Sequence, residues 1–351
     1  MRPRIILLSA FLTPFRSGAE ACAEEVARAL RDRYDITLVT ARLKSDLPKK
    51  DALHGVPVVR LGFGASVDKW LFPFLAALFV MRRRPKIVHA VLESYAGAAL
   101  VLCRVLAPGT KRLLTCQSTN TTAFLQSMHR AAHAVTAIST VLQDRAKKFG
   151  KRAELIPNGL RLRDIPTLEK TPGRILFVGR LEPMKGVDIL LQAYGKILPL
   201  VREQTSLHIV GDGSERSRLE RLAVDLHITD RVKFLGYVAP PAVYKEFAEA
   251  EIFCGLSRSE ALGNVFLEAQ AARSAVIATD VGGIPDIVKD RATGLLVPPD
   301  DVQGTTEALE RVLSDKSFAM KLAAAGKFHA QDFDWSAIAE RYAEVYEELL
   351  S

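Results

Sequence analysis

Cysteine is scarce in this sequence, and no apolar segment is long enough to cross a membrane. The 351 residues include four cysteines, Cys22, Cys103, Cys116 and Cys254, and no two of them form a CxxC pair. Such spacing argues against a disulfide scaffold or a zinc knuckle and favours a reducing compartment. No apolar run reaches the roughly 18 residues that a membrane-spanning helix needs. We therefore expect a cytoplasmic protein whose first residues form a strand rather than a signal peptide.

Several signatures of catalysis and cofactor binding are also missing. The sequence has no GxGxxG element, which argues against a nicotinamide dehydrogenase. No Ser-His-Asp or Cys-His set is apparent, and no two acids are placed as in a glycosidase. No DxD metal-ligand set lies in a suitable loop. We therefore expect neither a metal nor a resident cofactor.

Positive charge is concentrated in the first half of the chain. The net charge is +8, with 48% apolar and 25% charged residues, as in an ordinary globular protein. Residues 1–165 carry 27 Lys and Arg against 12 Asp and Glu, whereas the remainder carries 21 against 28. Nucleic acid, an anionic membrane face or an acidic substrate would each explain the basic half. Nucleic acid is the weakest of these, because no zinc finger, recognition helix or aromatic-interleaved basic motif is present.

Apolar β-branched runs alternate with helical patterns along the whole chain. This alternation predicts an α/β fold with two Rossmann-like, doubly wound domains that face a central cleft. We expect the domains over residues 1–165 and 172–330, a Pro- and Gly-rich linker over 157–173, and a C-terminal helix over 331–351. The predicted strands cover residues 4–10, 36–40, 56–61, 86–91, 111–116, 134–139, 153–157, 174–178, 207–210, 232–236, 251–257, 275–280 and 294–297.

The segment FVGRLEPMKGVDILLQAY carries two cations directly after a strand. Gly179 turns the chain, and Arg180 and Lys185 lie on the loop before an amphipathic helix. Two cations at the carboxyl end of a strand suit a diphosphate, since Arg offers a fork and Lys a point charge. Solvated surface cations are the alternative.

The segment SEALGNVFLEAQAA separates two glutamates, Glu260 and Glu268, by seven residues. The amides of Gly263, Asn264 and Val265 open a predicted helix and are plausible phosphate donors. A carboxylate one turn into the helix would face the ribose, as in dinucleotide folds, and Glu260 in the preceding loop could reach a sugar hydroxyl. Ordinary surface glutamates are the alternative.

Three glycine-bearing loops support a site for a polyanion. Gly18 opens the first predicted helix, so its amide would point at whatever fills the cleft. Residues 211–213, GDG, and 282–286, GGIPD, each follow a predicted strand. Each of these loops could equally be an ordinary tight turn.

These motifs together resemble the donor-binding half of retaining glycosyltransferases of family 4, which have the GT-B fold. The elements FVGRLxxxKG, IVGDG, VxFLGYV, E-x7-E and VGGIPDIV occur in this order across the second half, and IPNG at 156–159 and the KIVHA strand extend the resemblance more loosely into the first half.

The resemblance assigns a role to each of the singled-out residues. Arg180 and Lys185 neutralise the donor diphosphate, Glu268 holds the ribose, Glu260 holds the donor sugar, and Gly18 approaches the phosphates. The helix around Trp335 crosses back onto the first domain. Transfer occurs with retention on the front face, without a metal, and the leaving diphosphate oxygen accepts the proton of the acceptor hydroxyl.

The sequence departs from the family pattern at several positions. Leu262 stands where many relatives have Phe, and Arg161 where they often have Asp. Gln117 occupies the place where many relatives have His, so a neutral amide replaces an imidazole on the acceptor side. His89 is the other acceptor-side candidate, although a lone histidine on an apolar strand is often a hydrogen-bonded core residue.

Residues 70–81, WLFPFLAALFVM, form an apolar run followed by Arg82, Arg83 and Arg84. This run is too short to span a bilayer. A helix with an apolar surface beside a basic cluster could lie on an anionic leaflet, with Trp70 and the three arginines in contact with it. We therefore expect a peripheral protein that glycosylates a lipid-linked, lipopolysaccharide or polysaccharide acceptor. A buried helix with a solvated end is the alternative.

A nucleotide-sugar epimerase or hydrolase on the same fold is the nearest competing function. Both would use the same donor-binding residues, and acceptor dependence would separate them from a transferase. The base and the sugar of the donor stay open, because base contacts in such clefts are largely to the backbone and sugar choice depends on loop shape.

Overall fold

The computed structural model describes residues 2–15, 17–201 and 205–351 and divides the chain into two compact units. Unit 1 comprises Met1–Gly159 with Trp335–Ser351, and unit 2 comprises Leu160–Asp334. Each is a Rossmann-like α/β domain. The borders differ from the expected 165 and 331 because the two connecting segments pair with each other: the Leu160 amide donates to the Phe333 carbonyl at 2.9 Å. Both segments therefore belong to unit 2.

Unit 1 is built on an eight-stranded sheet in the order β3-β4-β2-β1-β5-β6-β7-β8. All neighbours in it are parallel except β3 and β4. Its central strands are buried on both faces, as their near-continuous apolar runs predict. The elements are β1 (Arg4–Leu8), α1 (Gly18–Leu30), β2 (Asp35–Ala41), β3 (Lys50–Leu53), β4 (Val56–Leu61), α2 (Asp68–Arg83), β5 (Ile87–Val91), α3 (Tyr95–Leu106), β6 (Lys111–Cys116), α4 (Leu125–Ala131), β7 (Ala134–Ala137), α5 (Thr140–Lys148) and β8 (Ala153–Leu155).

Unit 2 is built on a six-stranded parallel sheet in the order β11-β10-β9-β12-β13-β14. Its helices connect successive strands, as parallel pairing requires. The elements are β9 (Thr171–Val178), α6 (Val187–Ile197), β10 (Ser206–Val210), α7 (Arg216–Asp225), β11 (Val232–Gly236), α8 (Ala242–Glu249), β12 (Ala250–Gly255), α9 (Asn264–Ala271), β13 (Ala275–Thr279), α10 (Ile284–Ile287), β14 (Leu295–Val297), α11 (Val302–Ser314) and α12 (Lys316–Ala330).

The hairpin of β3 and β4 is an element that the sequence pattern did not predict. Strand β3 reads KDAL and is mostly exposed, so it lacks the apolar alternation of a strand. The turn between the strands places His54 and Gly55 at φ 52° and 81°. Two successive residues with positive φ form the tight turn that best matches the twist of a hairpin. The turn, rather than burial, therefore specifies β3.

The last helix, α13 (Trp335–Leu350), packs on unit 1. Its buried stripe includes Trp335, Ile338, Tyr342 and Tyr346, which join the apolar cluster of that unit. Helix α13 lies against α1, where the Tyr342 hydroxyl is 3.5 Å from the Cys22 sulfur. Two fully buried tyrosines anchor the chain terminus, and aromatic side chains of this size contribute strongly to core stability.

Candidate functional site

The carboxyl ends of four neighbouring strands meet at one edge of the unit 2 sheet. Strand β9 lies between β10 and β12, and β13 follows β12. The chain runs from β9 towards β10 and β11 and then returns to the other side of β9 as β12. The strand order therefore reverses between β9 and β12, and open α/β sheets bind ligands at such a point.

Close backbone contacts fix the loops at this edge. Gly186, which precedes α6, has φ 64°, and a Cβ there would lie 2.0 Å from the Leu256 carbonyl oxygen. Gly282, after β13, has φ 57°, and its Cβ would lie 1.9 Å from the Glu260 carbonyl oxygen. A residue with a side chain fits neither place, so glycine is required where each loop touches the loop after β12.

Lys185 and Glu260 form an ion pair across the point of strand reversal. Lys185 follows β9 and Glu260 follows β12, and the Nζ to Oε2 distance is 2.5 Å. Both side chains are 17% exposed, so the pair is mostly shielded from solvent but remains accessible from the loop edge. The Ser257 hydroxyl donates to the same carboxylate oxygen at 3.4 Å. The structure thus brings together two residues that are 75 positions apart in the sequence.

Arg180 lies on the same loop as Lys185 but is exposed. Within residues 2–15, 17–201 and 205–351, its guanidinium forms no ion pair or hydrogen bond. The adjacent backbone is fixed, because Gly179 donates to the Val210 carbonyl at 3.0 Å and Leu181 to the Asp212 carbonyl at 2.9 Å. The loop therefore holds one paired and one unpaired cation on a rigid backbone.

Helix α9 begins at the predicted phosphate-binding segment. Gly263 is its N-terminal cap residue at φ 91°, and Asn264 and Val265 are its first two residues. The first amides of a helix have no partner within the helix and carry the positive end of its dipole. Glu268 lies one turn further on and is partly exposed. An anion at the start of α9 would thus have amides beside it and a carboxylate one turn away.

The start of α1 is organised differently from the expectation for Gly18. Gly18 is the first residue of α1, and the preceding Ser17 amide donates to the Glu20 carboxylate at 2.9 Å. The Glu24 carboxylate accepts from the Thr13 amide at 2.8 Å. Carboxylates of α1 itself therefore accept hydrogen bonds from backbone amides at this end of the helix, and these amides are not free for a bound anion. The role of Gly18 stays a prediction.

The two acceptor-side candidates lie in buried networks of unit 1. The His89 ring is fully buried, with Nδ1 2.8 Å from the Tyr346 hydroxyl and Nε2 2.7 Å from the Thr115 hydroxyl. Burial lowers the pKa of His89 to about 3, so the ring is neutral. Both ring nitrogens thus contact hydroxyl groups inside the fold, and the acceptor-side role of His89 stays a prediction.

Gln117 is 7% exposed and is paired at both ends of its amide with Asn158, at 2.9 and 3.0 Å. Both ends of its side-chain amide are therefore engaged within the fold, and its role toward an acceptor stays a prediction. The reciprocal amide pair joins the loop after β6 to the IPNG segment. The sequence alone could not show this contact, because the partners are 41 positions apart.

A buried cluster lies beside Gln117 and contains three potential metal ligands. Oxygen, sulfur and nitrogen atoms of Glu93, Cys116 and His129 all lie within 4.8 Å of one another. However, Arg145 forms an ion pair with Glu93, and burial raises the pKa of the Cys116 thiol well above its usual value. A protonated thiol beside a guanidinium does not favour a cation. The cluster is therefore better described as a buried ion-pair network.

The predicted membrane-contact residues lie near opposite ends of α2. Trp70 is 62% exposed in its first turn, and Arg82, Arg83 and Arg84 are exposed at its end. Twelve residues of helix separate them by about 18 Å. The apolar and basic features therefore do not form one compact patch. Among the described residues, no helix has the length and apolarity that crossing a bilayer requires.

Arg258 is a residue of this edge that the sequence analysis did not single out. It lies in the loop after β12, and its guanidinium contacts Asp188, Asp300 and the Pro183 carbonyl. In the sequence, the only indication was that Arg258 lies two residues before Glu260 in a loop that follows a predicted strand. Its partners lie 70 positions before it and 42 after it, so the pattern could not assign them.

Two family profiles match the chain, one in each half. The profile described as Glycosyltransferase Family 4 matches residues 16–164. The profile described as Glycosyl transferases group 1 matches residues 158–329. The two matches together extend over residues 16–329.

Several curated relatives are similar over the part of the chain that aligns. The D-inositol 3-phosphate glycosyltransferase of Streptomyces bingchenggensis is 34% identical over 187 residues, covering 50% of this chain and 40% of the relative. The protein of the same name from Frankia alni is 36% identical over 196 residues, covering 52% and 47%. The aligned part thus spans less than half the length of these relatives.

Solved structures share the fold over the whole chain. Sucrose-phosphate synthase from Thermosynechococcus elongatus aligns with a TM-score of 0.84 at 22% identity, covering 99% of both chains. The HepE protein of Anabaena, solved in complex with UDP, aligns with a TM-score of 0.79 at 20% identity, covering 99% of this chain and all of its own. With both halves matched in order and the fold shared throughout, the chain belongs to the family 4 glycosyltransferases and has the GT-B fold of two Rossmann-like domains.

Proposed function

We propose that this protein is a retaining, metal-independent glycosyltransferase that uses a nucleotide-diphosphate sugar as donor. The observation that carries the proposal is the Lys185–Glu260 ion pair at the point of strand reversal in unit 2. Structural relatives that bind UDP and UDP-glucose support a nucleotide-sugar donor. In such a pair the ammonium can contact a phosphate while the carboxylate accepts a hydrogen bond from a sugar hydroxyl.

The charge at this edge matches a diphosphate leaving group. Arg180 brings an exposed guanidinium, and Lys185 brings an ammonium that is paired with the Glu260 carboxylate. The first amides of α9 add fixed dipoles. Such preorganised groups stabilise the negative charge that grows on the diphosphate as its bond to the sugar breaks.

The transfer itself needs no further acid or base from the protein. The bond between the anomeric carbon and the diphosphate oxygen breaks, and the acceptor oxygen forms a bond to the same carbon. The proton of the acceptor hydroxyl passes to the leaving diphosphate oxygen. In this scheme the chain contributes positioning and charge stabilisation, with Glu260 holding the donor sugar and Glu268 the ribose.

Two matched variants test the role of Lys185. Thermal-shift measurements with UDP-, GDP- and ADP-sugars first identify the donor, since a ligand at 100 times its Kd stabilises the protein by about 2.7 kcal/mol. Lys185→Ala is then expected to lower kcat on the order of 10²–10³-fold, as when an oxyanion donor is removed. Lys196→Ala, an exposed lysine at the other end of α6, is the control and keeps wild-type turnover.

The outcomes separate the competing activities. Near-normal turnover in Lys185→Ala would overturn the assignment of the site. Sugar release that does not depend on any acceptor would favour a hydrolase or an epimerase over a transferase. Absence of stabilisation by every nucleotide sugar tested would contradict the donor class itself.

We further propose that the acceptor is lipid-linked, a lipopolysaccharide or a polysaccharide, and that unit 1 binds an anionic membrane surface. Large apolar side chains are exposed around the start of α2, and the one acidic residue between positions 52 and 92, Asp68, is buried. Six basic residues lie in the same interval, and all of them except the buried Arg60 are at least partly exposed. The exposed apolar side chains are Phe63, Val67, Trp70, Leu71 and Phe74.

Vesicle co-flotation tests the proposed binding of unit 1 to an anionic membrane surface. The wild type is expected to float with vesicles of phosphatidylglycerol and phosphatidylcholine, and both Trp70→Ser/Phe74→Ser and charge reversal of Arg82, Arg83 and Arg84 to Glu reduce the bound fraction. Each basic residue near an anionic surface contributes roughly 1 kcal/mol. Val105→Ser, which changes an apolar residue of α3 that is more exposed than Trp70 and Phe74, is the control. Undiminished flotation of the charge-reversed variant would exclude this membrane contact.

A further inference from the structure

Arg258 makes an unusually complete set of contacts at the ligand edge of unit 2. Its Nη1 and Nη2 donate to the two Asp188 oxygens at 3.1 and 2.9 Å, and its Nε donates to Asp300 at 2.7 Å. Nη1 also donates to the Pro183 carbonyl, and the backbone amide of Arg258 donates to the Met184 carbonyl at 2.7 Å. A fork of this geometry can be supplied by arginine but not by lysine.

The turn that Arg258 contacts lies between two fixed points of the loop, the Leu181 amide bound to the Asp212 carbonyl and the close approach of Gly186 to Leu256. Pro183–Lys185 is a single turn of 3-10 helix, a form with poor hydrogen-bond geometry. Pro183 is exposed and Met184 is 39% exposed, so neither side chain is part of the buried core. The bonds within it are the Lys185 amide to Glu182 at 2.9 Å and the Gly186 amide to Pro183 at 3.4 Å. Arg258 contacts the carbonyls of the two residues directly before Lys185.

We propose that Arg258 is a positioning residue that sets the place of the Lys185 ammonium beside Glu260. It clamps the turn from one side through Pro183 and Met184 and from the other through Asp188, at the start of α6. The inference rests on the proposed function of Lys185. Arg258 acts through Lys185 and does not itself contact the donor.

Amide hydrogen exchange tests the clamp without any substrate. Exchange at the amides of residues 184–186 is expected to accelerate at least tenfold in Arg258→Gln and in Arg258→Lys, while the melting temperature of the protein changes little. Asp188→Asn weakens the same grip from the other partner and produces the same acceleration. Arg218→Gln is the matched control, because Arg218 lies 3.9 Å from Asp188 and, among the described residues, forms no hydrogen bond or ion pair with Pro183–Lys185.

Steady-state kinetics tests the route of the effect. A misplacement on the order of 1 Å costs on the order of 10²-fold in rate, so Arg258→Gln should lower kcat by roughly that factor with a smaller change in KM. If Arg258 acts through Lys185, the double variant Lys185→Ala/Arg258→Gln loses no more activity than Lys185→Ala alone. Additive losses would assign Arg258 a separate role and overturn the proposal.

The two readouts distinguish failure of this inference from failure of the proposed function. Unchanged exchange at residues 184–186 in all three variants would overturn the clamp, whatever the activity of the protein. Accelerated exchange in a protein that binds no nucleotide sugar and transfers no sugar would leave the clamp in place and refute its catalytic purpose. Rescue of both exchange and kcat by Arg258→Lys would contradict the need for a forked donor.

Discussion

Replacement of Gly186 by alanine tests the packing that holds the ligand edge of unit 2 together. Gly186 has φ 64°, and an added Cβ would lie 2.0 Å from the Leu256 carbonyl oxygen. Real Cβ atoms almost never come closer than 3.0 Å, so the backbone of the loop after β12 or the start of α6 must move by about 1 Å. Both segments are otherwise held by the sheet core.

The expected cost has two parts. A left-handed backbone costs a residue with a Cβ roughly 1–2 kcal/mol, and overpacking against a fixed neighbour costs roughly 1–3 kcal/mol. Gly186→Ala is therefore expected to lower the free energy of unfolding by about 2–5 kcal/mol. For a domain of this size, the melting temperature falls by roughly 4–20 °C. Because Lys185 is the adjacent residue, transferase activity should fall as well.

Gly195→Ala, within the helix α6 that Gly186 precedes, is a stringent control. A Cβ at Gly195 would meet Ile228 and Leu226 at 3.8 Å, which is ordinary van der Waals contact. Alanine inside a helix is more stable than glycine by roughly 0.5–1 kcal/mol, so this variant should melt at or above the wild-type temperature. Both can be measured by circular dichroism during urea and thermal unfolding. A Gly186→Ala variant as stable as Gly195→Ala would refute the close approach of these two loops.

Two further predictions concern the buried polar groups of unit 1. Burial lowers the pKa of His89 to about 3, so the unfolded chain takes up a proton that the folded chain excludes. The free energy of unfolding therefore falls by about 1.4 kcal/mol per pH unit as the pH drops from about 6.5 towards 3. Urea unfolding across this pH range should give a shallower slope for His89→Asn than for the wild type, and an identical slope would contradict the neutral, buried ring. Arg145→Gln leaves the buried Glu93 carboxylate without its guanidinium and should destabilise the protein by about 3–5 kcal/mol, with a loss below 1 kcal/mol in calorimetry arguing against the ion pair.

Most of the sheet could be predicted from the sequence. The strands at 56–61, 111–116 and 232–236 match β4, β6 and β11 at both ends, and the others differ by a few residues. Most of these strands are largely buried and appear in the sequence as runs of mainly apolar residues, whereas β4 and β11 alternate buried with more exposed positions. Strand β3 is the exception, because the backbone of the His54–Gly55 turn specifies it and its own exposed residues do not.

The donor-side residues could be singled out because their loops directly follow predictable strands. The predicted diphosphate site paired Arg180 with Lys185, which are close in sequence. In the structure, Lys185 is instead bound to Glu260, while Arg180 is exposed. That pairing depends on the reversal of strand order between β9 and β12, which periodicity does not encode. Arg258 was missed for the same reason, since its side-chain partners lie in the turn before α6, in the first turn of α6 and in the loop after β14.

In unit 1 the contacts of a residue that the sequence pattern singled out could not be predicted from its neighbours. A polar residue on an apolar strand, such as His89, looks like a site residue, but the hydroxyl that satisfies its Nδ1 comes from α13, 257 positions later. Local residue types therefore determined where strands, helices and strand-end loops form, because side-chain periodicity and backbone preference act over a few neighbours. Tertiary structure alone decided which of those polar groups stay exposed at the loop edge and which satisfy one another, because burial and pairing depend on segments brought together only by the folded sheets.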